Sequence, residues 1–218
     1  MIEPIITFYK IQLFNADNME VMKQYPDKYF DIAIVDPEYG ININNNIGRR
    51  KGDKHSGHKK VKWDSKPPEQ IYFDELKRVS KNQIIWGGNY FNLPPTKCFL
   101  IWYKPQISVD LSFSMCELAW TSFDTSAKLF EYYNKENKIH PTQKPVALYS
   151  WIIKNYVKPN MKILDTHLGS GSQTIAIDKA NTIENMNLEF VGIEIDSEYF
   201  NDSVQRFKNY KQQKTIFD

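Results

Sequence analysis

Ile32-Ala33-Ile34-Val35 is an unbroken apolar run that stops at Asp36-Pro37-Glu38-Tyr39-Gly40. Four apolar residues closed by turn residues form a strand buried on both faces, which is the habit of a parallel sheet covered by helices. Open sheets of that kind keep their chemistry at the carboxyl ends of the strands, so Asp36 to Tyr39 is the first candidate site. Pro37 stiffens the backbone between a carboxylate and a phenol ring, and the pair can hold a flat, amine-bearing heterocycle between a ring face and a hydrogen-bond acceptor. Taken alone, the tetrapeptide reads equally well as a strand-ending turn with Tyr39 packed nearby.

The rest of the chain repeats the pattern. Lys10 to Phe14 alternates as a short strand, and Asn15-Ala16-Asp17-Asn18 caps a helix over Met19 to Tyr25, which places Asp17 at a second strand end. Pro67-Pro68-Glu69 opens an amphipathic helix to about Ser80, with Ile71, Leu76 and Val79 available for one face. Gln83 to Trp86 is a strand ended by Gly87-Gly88-Asn89, with the polar and aromatic cluster Asn89-Tyr90-Phe91 just beyond it. Phe99 to Tyr103 and Met115 to Thr121 are two further strands, and their short polar connection predicts antiparallel pairing. Residues 122–138 carry no period that assigns them.

Pro141 to Pro145 precede a helix with Leu148, Trp151, Ile152 and Tyr156 at helical spacing. Met161 to Asp165 then runs as a strand through a glycine-rich turn, Thr166 to Gly171, into a helix. Phe190 to Asp196 is the last strand, and a final helix starts near Ser197. Alternating strands and helices predict an α/β domain with a mostly parallel sheet and helices on both faces. With no repeat and no linker, residues 1–218 are expected to form one domain.

Composition narrows the function classes. A hydrophobic content of 41% and a charged content of 25% describe a globular chain. No basic segment leads into a long apolar core at the start and no apolar run reaches membrane-spanning length, so a cytoplasmic location is expected. Cys98 and Cys116 lie in apolar, strand-like segments and are expected to be reduced structural thiols; no metal-ligand spacing appears among His and Cys. Net charge is only +2, yet Arg49, Arg50, Lys51, Lys54, Lys59, Lys60 and Lys62 crowd one segment with Asp53 as its single acid. Residues 41–66 are therefore expected to be a basic loop insertion directly after the candidate site, suited to a polyanionic partner.

Gly169-x-Gly171 lets backbone approach a ligand, and Glu194 at the end of the next strand can accept hydrogen bonds from ribose hydroxyls. A P-loop would need a Lys after the glycines, and a dinucleotide fingerprint would need Gly where Thr174 stands. A smaller adenosyl ligand needs only the first two glycines. Tight strand-to-helix packing is the alternative reason for them.

Four motifs, Asp36-Pro37-Glu38-Tyr39, His140-Pro141-Thr142-Gln143-Lys144-Pro145, Asp165-x-x-Leu168-Gly169-Ser170-Gly171-Ser172 and Gly192-Ile193-Glu194-Ile195-Asp196, resemble those of the DNA amino-methyltransferases that use S-adenosylmethionine. Because the catalytic tetrapeptide precedes the cofactor glycines, their order resembles the circularly permuted β group of that family. The resemblance implies a Rossmann-like methyltransferase fold, with a mostly parallel seven-stranded sheet and an antiparallel edge. It implies catalytic roles for Asp36, Pro37 and Tyr39. Cofactor contacts are implied for Asp17, His140, Thr142, Lys144, Asp165, Gly169, Ser170, Gly171 and Glu194, and no metal is implied. DNA is the implied partner, dimers are common in the group, and a paired restriction endonuclease is a companion such enzymes can have.

The expected activity is transfer of a methyl group to the exocyclic amine of adenine. Asp first in the tetrapeptide leans away from the cytosine amine, whose enzymes often carry Ser there. Methylation at a ring carbon would need a thiolate, usually after proline, whereas Cys98 follows Lys97 and Cys116 follows Met115. Glu38 departs from the proline common at its position. In a rival of another class, a DNA-binding relative without catalysis, Glu38 would mark lost chemistry.

Overall fold

The computed structural model describes residues 2–41, 65–107, 114–134, 139 and 142–215. Their strands are β1 (Ile6–Phe8), β2 (Ile11–Asn15), β3 (Phe30–Val35), β4 (Ser80–Trp86), β5 (Phe99–Tyr103), β6 (Cys116–Thr121), β7 (Lys128–Glu131), β8 (Lys162–Asp165) and β9 (Glu189–Glu194). All nine join one sheet in the order β1-β2-β9-β8-β3-β4-β6-β5-β7. The count exceeds the expected seven by the two outermost strands, β1 and β7. Each has at most four residues: β7 is largely exposed, and the Ile6-Thr7-Phe8 alternation of half-buried β1 is too short to announce a strand.

The central strands β2, β9, β8, β3 and β4 run parallel to one another. Consequently their carboxyl ends all open on one side of the sheet. That side receives Asp17 after β2, the Asp36 corner after β3, the Gly87 turn after β4, the glycine loop after β8 and Glu194 at the tip of β9. β6 is antiparallel to both β4 and β5, as the short connection predicts. Its amino end, with Glu117, and the carboxyl end of β5, followed by Lys104, therefore come to the same side.

Helices α1 (Asn18–Met22), α2 (Gln70–Val79), α3 (Val146–Tyr156), α4 (Ser172–Ile183) and α5 (Ser197–Thr215) cover both faces. The reading of β3 as a strand buried on two sides holds at each residue. Ile32 and Ile34 join a core with Leu148, Ile152 and Ile177, while Ala33 and Val35 join another with Val21, Met22, Phe73, Leu76 and Val79. Among the described residues, no helix is long and apolar enough to cross a membrane.

Candidate active site

A cavity of about 1040 Å³ opens over the carboxyl ends of the parallel strands. Asp36, Pro37, Glu38 and Tyr39 line it together with Asp17, Thr142, Lys144, Gly169, Ser170 and Glu194. Segments more than 130 residues apart in sequence thus share one cleft. Its volume is at the upper end of the usual range for ligand pockets, which leaves room for more than one small ligand.

The wall around Glu194 is built on backbone. Glu194 Oε2 accepts from Gly169 N at 2.9 Å and Oε1 from Asp196 N at 3.0 Å, which fixes the carboxylate and leaves lone pairs on each oxygen. Gly169 has a φ of +50°, and a Cβ there would meet only His167 O at 3.9 Å, so the loop presents open space to the cavity. Asp17 is exposed at the rim, where Oδ1 caps α1 by accepting from Met19 N at 2.7 Å and Glu20 N at 3.3 Å.

Two residues with an implied cofactor role stand behind this wall. Asp165 is buried, accepts from His167 N at 3.0 Å and, together with the reoriented Gln173 amide at 3.1 Å, braces the loop. Burial, with Asp36 and Glu194 nearby, pushes its carboxyl up to about 7. A Cβ on Gly171, which has a φ of +70°, would lie 3.1 Å from Ser203 Cβ on α5, so this glycine permits loop-to-helix packing and does not face the cavity. Arg206 of α5, which no sequence motif marks, holds the loop from behind through Ser170 O at 2.9 Å and Ser172 Oγ at 2.8 Å.

At the Asp36 corner a charge network surrounds the acid that the sequence paired with Tyr39. Asp36 Oδ1 accepts from Tyr39 Oη at 2.7 Å, and Asp36 Oδ2 meets Lys144 Nζ at 2.5 Å. Lys144 also reaches Glu117 Oε2 at 3.1 Å, and Glu117 Oε1 accepts from Lys104 Nζ at 3.0 Å. Lys144 is only 2% exposed in its side chain. Burial works against its charge, but Asp36 and Glu117 outweigh it and raise the ammonium above the ordinary lysine value. Burial likewise opposes the Glu117 carboxylate, yet Lys144 and Lys104 hold it down to about 2. Lys144 is thus engaged with Asp36, a contact the resemblance did not imply.

Tyr39 does not offer a bare ring. Tyr90 stacks on it at 5.0 Å between centroids with an interplanar angle of 16°, and Tyr90 is 45% exposed at the cavity. Gly87, with a φ of +71°, lies so close that a Cβ would sit 2.2 Å from Tyr39 Cε1. Gly87→Ala should therefore displace Tyr39, combining that clash with left-handed backbone strain of roughly 1–3 kcal/mol. Thermal melting should show a lowered midpoint, and turnover should fall at least about tenfold; unchanged turnover would detach Tyr39 from the chemistry.

Both cysteines are free, and among the described residues no His, Cys, Asp and Glu group is placed to hold a metal. His140 and the basic positions Arg49, Arg50, Lys51, Lys54, Lys59 and Lys60 lie outside the described residues.

The family model described as DNA methylase, for N6 and N4 amino-methyltransferases, matches residues 2–205. The chain is 22% identical over 252 residues to the Type II methyltransferase M.BglII of Bacillus subtilis, covering 86% of this chain and 66% of that protein. Its fold is similar to that of the PvuII DNA methyltransferase (cytosine-N4-specific), with a TM-score of 0.63 at 15% identity over 94% of this chain and 89% of that one. It is also similar to M1.HpyAVI, solved as a complex with SAM, with a TM-score of 0.55 at 21% identity over 90% of this chain and 99% of that one.

Proposed function

Because the chain belongs to the DNA methylase family of N6 and N4 amino-methyltransferases, we propose that it transfers a methyl group from S-adenosylmethionine to the exocyclic amine of adenine in DNA. The observation that carries this reading is the common cleft of Asp36 and Gly169. S-adenosylmethionine supplies an electrophilic methyl group on a positively charged sulfur. The donor-side residues suit it. Glu194 retains acceptor capacity for ribose hydroxyls, Gly169 leaves space for close approach, Ile195 offers a 66% exposed apolar side chain beside them, and Asp17 and Thr142 add polar groups to the wall.

The acceptor residues answer a specific difficulty. An exocyclic amine shares its lone pair with the ring and is a poor nucleophile until hydrogen bonds favour a tetrahedral nitrogen. Asp36 and the backbone carbonyl of Pro37 are the acceptors that turn the lone pair toward the methyl carbon. Tyr39 and Lys144 hold the Asp36 carboxylate in one orientation, and lone pairs remain on both oxygens for the amine. Displacement is direct, the amine proton leaves afterwards, and no covalent enzyme intermediate is required. The base must first leave the duplex, at roughly a few kcal/mol. Stacking on the Tyr39 and Tyr90 pair, worth about 1–3 kcal/mol per base, offsets part of that.

Mass spectrometry of nucleosides from DNA incubated with enzyme and donor tests the target. N6-methyladenine is expected. N4-methylcytosine would replace the adenine target by the cytosine amine, and detection of neither product would overturn the reading. The basic segment is proposed to contact DNA phosphates. Replacing Arg49, Arg50, Lys51, Lys54, Lys59 and Lys60 by glutamine should weaken DNA binding and flatten its salt dependence by about 0.9 log units per lost phosphate contact. An unchanged slope in a salt titration would remove this segment from the interface.

A further inference from the structure

Glu38 and His167 meet across the gap between the catalytic corner and the glycine loop. Glu38 Oε2 lies 3.5 Å from His167 Nε2, and both residues line the cavity. Glu38 is two residues from Asp36, and His167 is two residues before Gly169. The pair therefore ties the acceptor wall to the donor wall.

Its surroundings let His167 exist in two proton states. Nδ1 lies 2.9 Å from Thr166 Oγ1, which is 2.7 Å from Tyr72 Oη, and the Tyr72 ring meets the imidazole edge-on at 5.4 Å. Nε2 has two neighbours with opposite demands. Asn18 Nδ2, at 3.3 Å, needs a bare nitrogen, whereas Glu38 needs an N–H. The charged groups facing the ring are Glu38, Glu194 and Asp165, and Tyr72 is its remaining titratable neighbour. Burial disfavours the imidazolium, but Glu38 outweighs it and raises the histidine above its ordinary value. Burial also opposes the Glu38 carboxylate, and His167 in turn brings it below the usual range.

We propose that Glu38 is the counter-charge for the cationic sulfur of the methyl donor, and that His167 sets how much of that charge is offered. This inference rests on the methyl-donor reading of the site. A donor anchored at Glu194 and Gly169 that reaches an amine on Asp36 must carry its positive centre across the gap where the pair stands. The sulfur is positive before transfer and neutral afterwards. A carboxylate there favours donor over spent product, so the pair determines donor-against-product specificity and limits product inhibition. Glu38 then exchanges the stiffness of a proline for discrimination.

The test is calorimetry on the whole chain with S-adenosylmethionine and S-adenosylhomocysteine. Measured at the alkaline end of the pH range, where His167 carries least charge, Glu38→Gln should weaken the donor by roughly three- to tenfold, the size of one partly screened charge interaction, and leave the product within about twofold. Glu38→Asp, which keeps the charge, should restore most of the discrimination. His167→Gln should raise the preference for the donor and flatten its change between about pH 6 and 8. Both ligands binding, with Glu38→Gln moving them equally or moving neither, would overturn this inference alone. A wild-type chain that binds neither compound would overturn the methyl-donor reading as well.

Discussion

Asp36→Ala should lower methyl transfer by at least about a thousandfold while leaving affinity for S-adenosylmethionine nearly unchanged. In the proposed mechanism the carboxylate touches the amine, and the donor is held by other residues, chiefly Glu194 and the glycine loop. Removing it deletes the side-chain acceptor that pyramidalises the nitrogen and leaves only the Pro37 carbonyl. Lys144 keeps Glu117 as a partner, so the alanine variant should remain folded. Asp36→Asn provides a near-isosteric control. Its amide keeps one acceptor oxygen, but Tyr39 and Lys144 bond different carboxylate oxygens, so the NH2 group must face one of these two donors and transfer should again collapse. Calorimetry and single-turnover transfer on the same preparations separate the two roles, and a parallel loss of donor affinity would assign Asp36 to the donor wall.

Lys144→Met should cost about 3–5 kcal/mol of stability at neutral pH, because it removes a buried cation and leaves two partly buried carboxylates, Asp36 and Glu117, without their shared partner. The Lys104 contact to Glu117 puts the expected loss toward the lower figure. The pH dependence identifies the cause. In the wild type, Glu117 is held at about 2, below its ordinary 4.5, so its contribution is fully present above pH 4.5 and is lost as pH falls toward 2. Without Lys144 much of that contribution is missing at neutral pH. The deficit should therefore shrink on acidification across the same window. Urea titrations at neutral pH and in that window measure it, and a deficit of equal size at both would point to lost packing of the lysine stem.

The central architecture was legible because its strands are buried on both faces, and burial writes continuous runs without polar side chains, such as Ile32 to Val35 and Phe190 to Ile193. An acid or glycine ending each run marked the cleft. β7 was not legible, since its exposed Lys128–Glu131 segment forms by pairing with β5 and has no apolar stripe of its own. Partnerships were harder still. Lys144 meets Asp36 across 108 positions, and only the antiparallel insertion of β6 brings Glu117 between them and Lys104. Arg206 reads as an ordinary basic residue on α5 until the glycine loop packs against it. Tyr90 did leave a signal, the aromatic cluster after Gly87-Gly88, but its stacking on Tyr39 depends on how two parallel strand ends align. Glu38 was visible as a departure, and its partner His167 required the fold.

The central claim is that one cleft holds a methyl donor against an amine of DNA. Its most direct measurement is transfer of a labelled methyl group from S-adenosylmethionine to unmethylated duplex DNA, with Asp36→Ala run beside the wild type. The account predicts label on an exocyclic base amine with the wild type and none with the variant. Tight donor binding by the wild type with no label reaching the DNA, or equal labelling by both proteins, would contradict it.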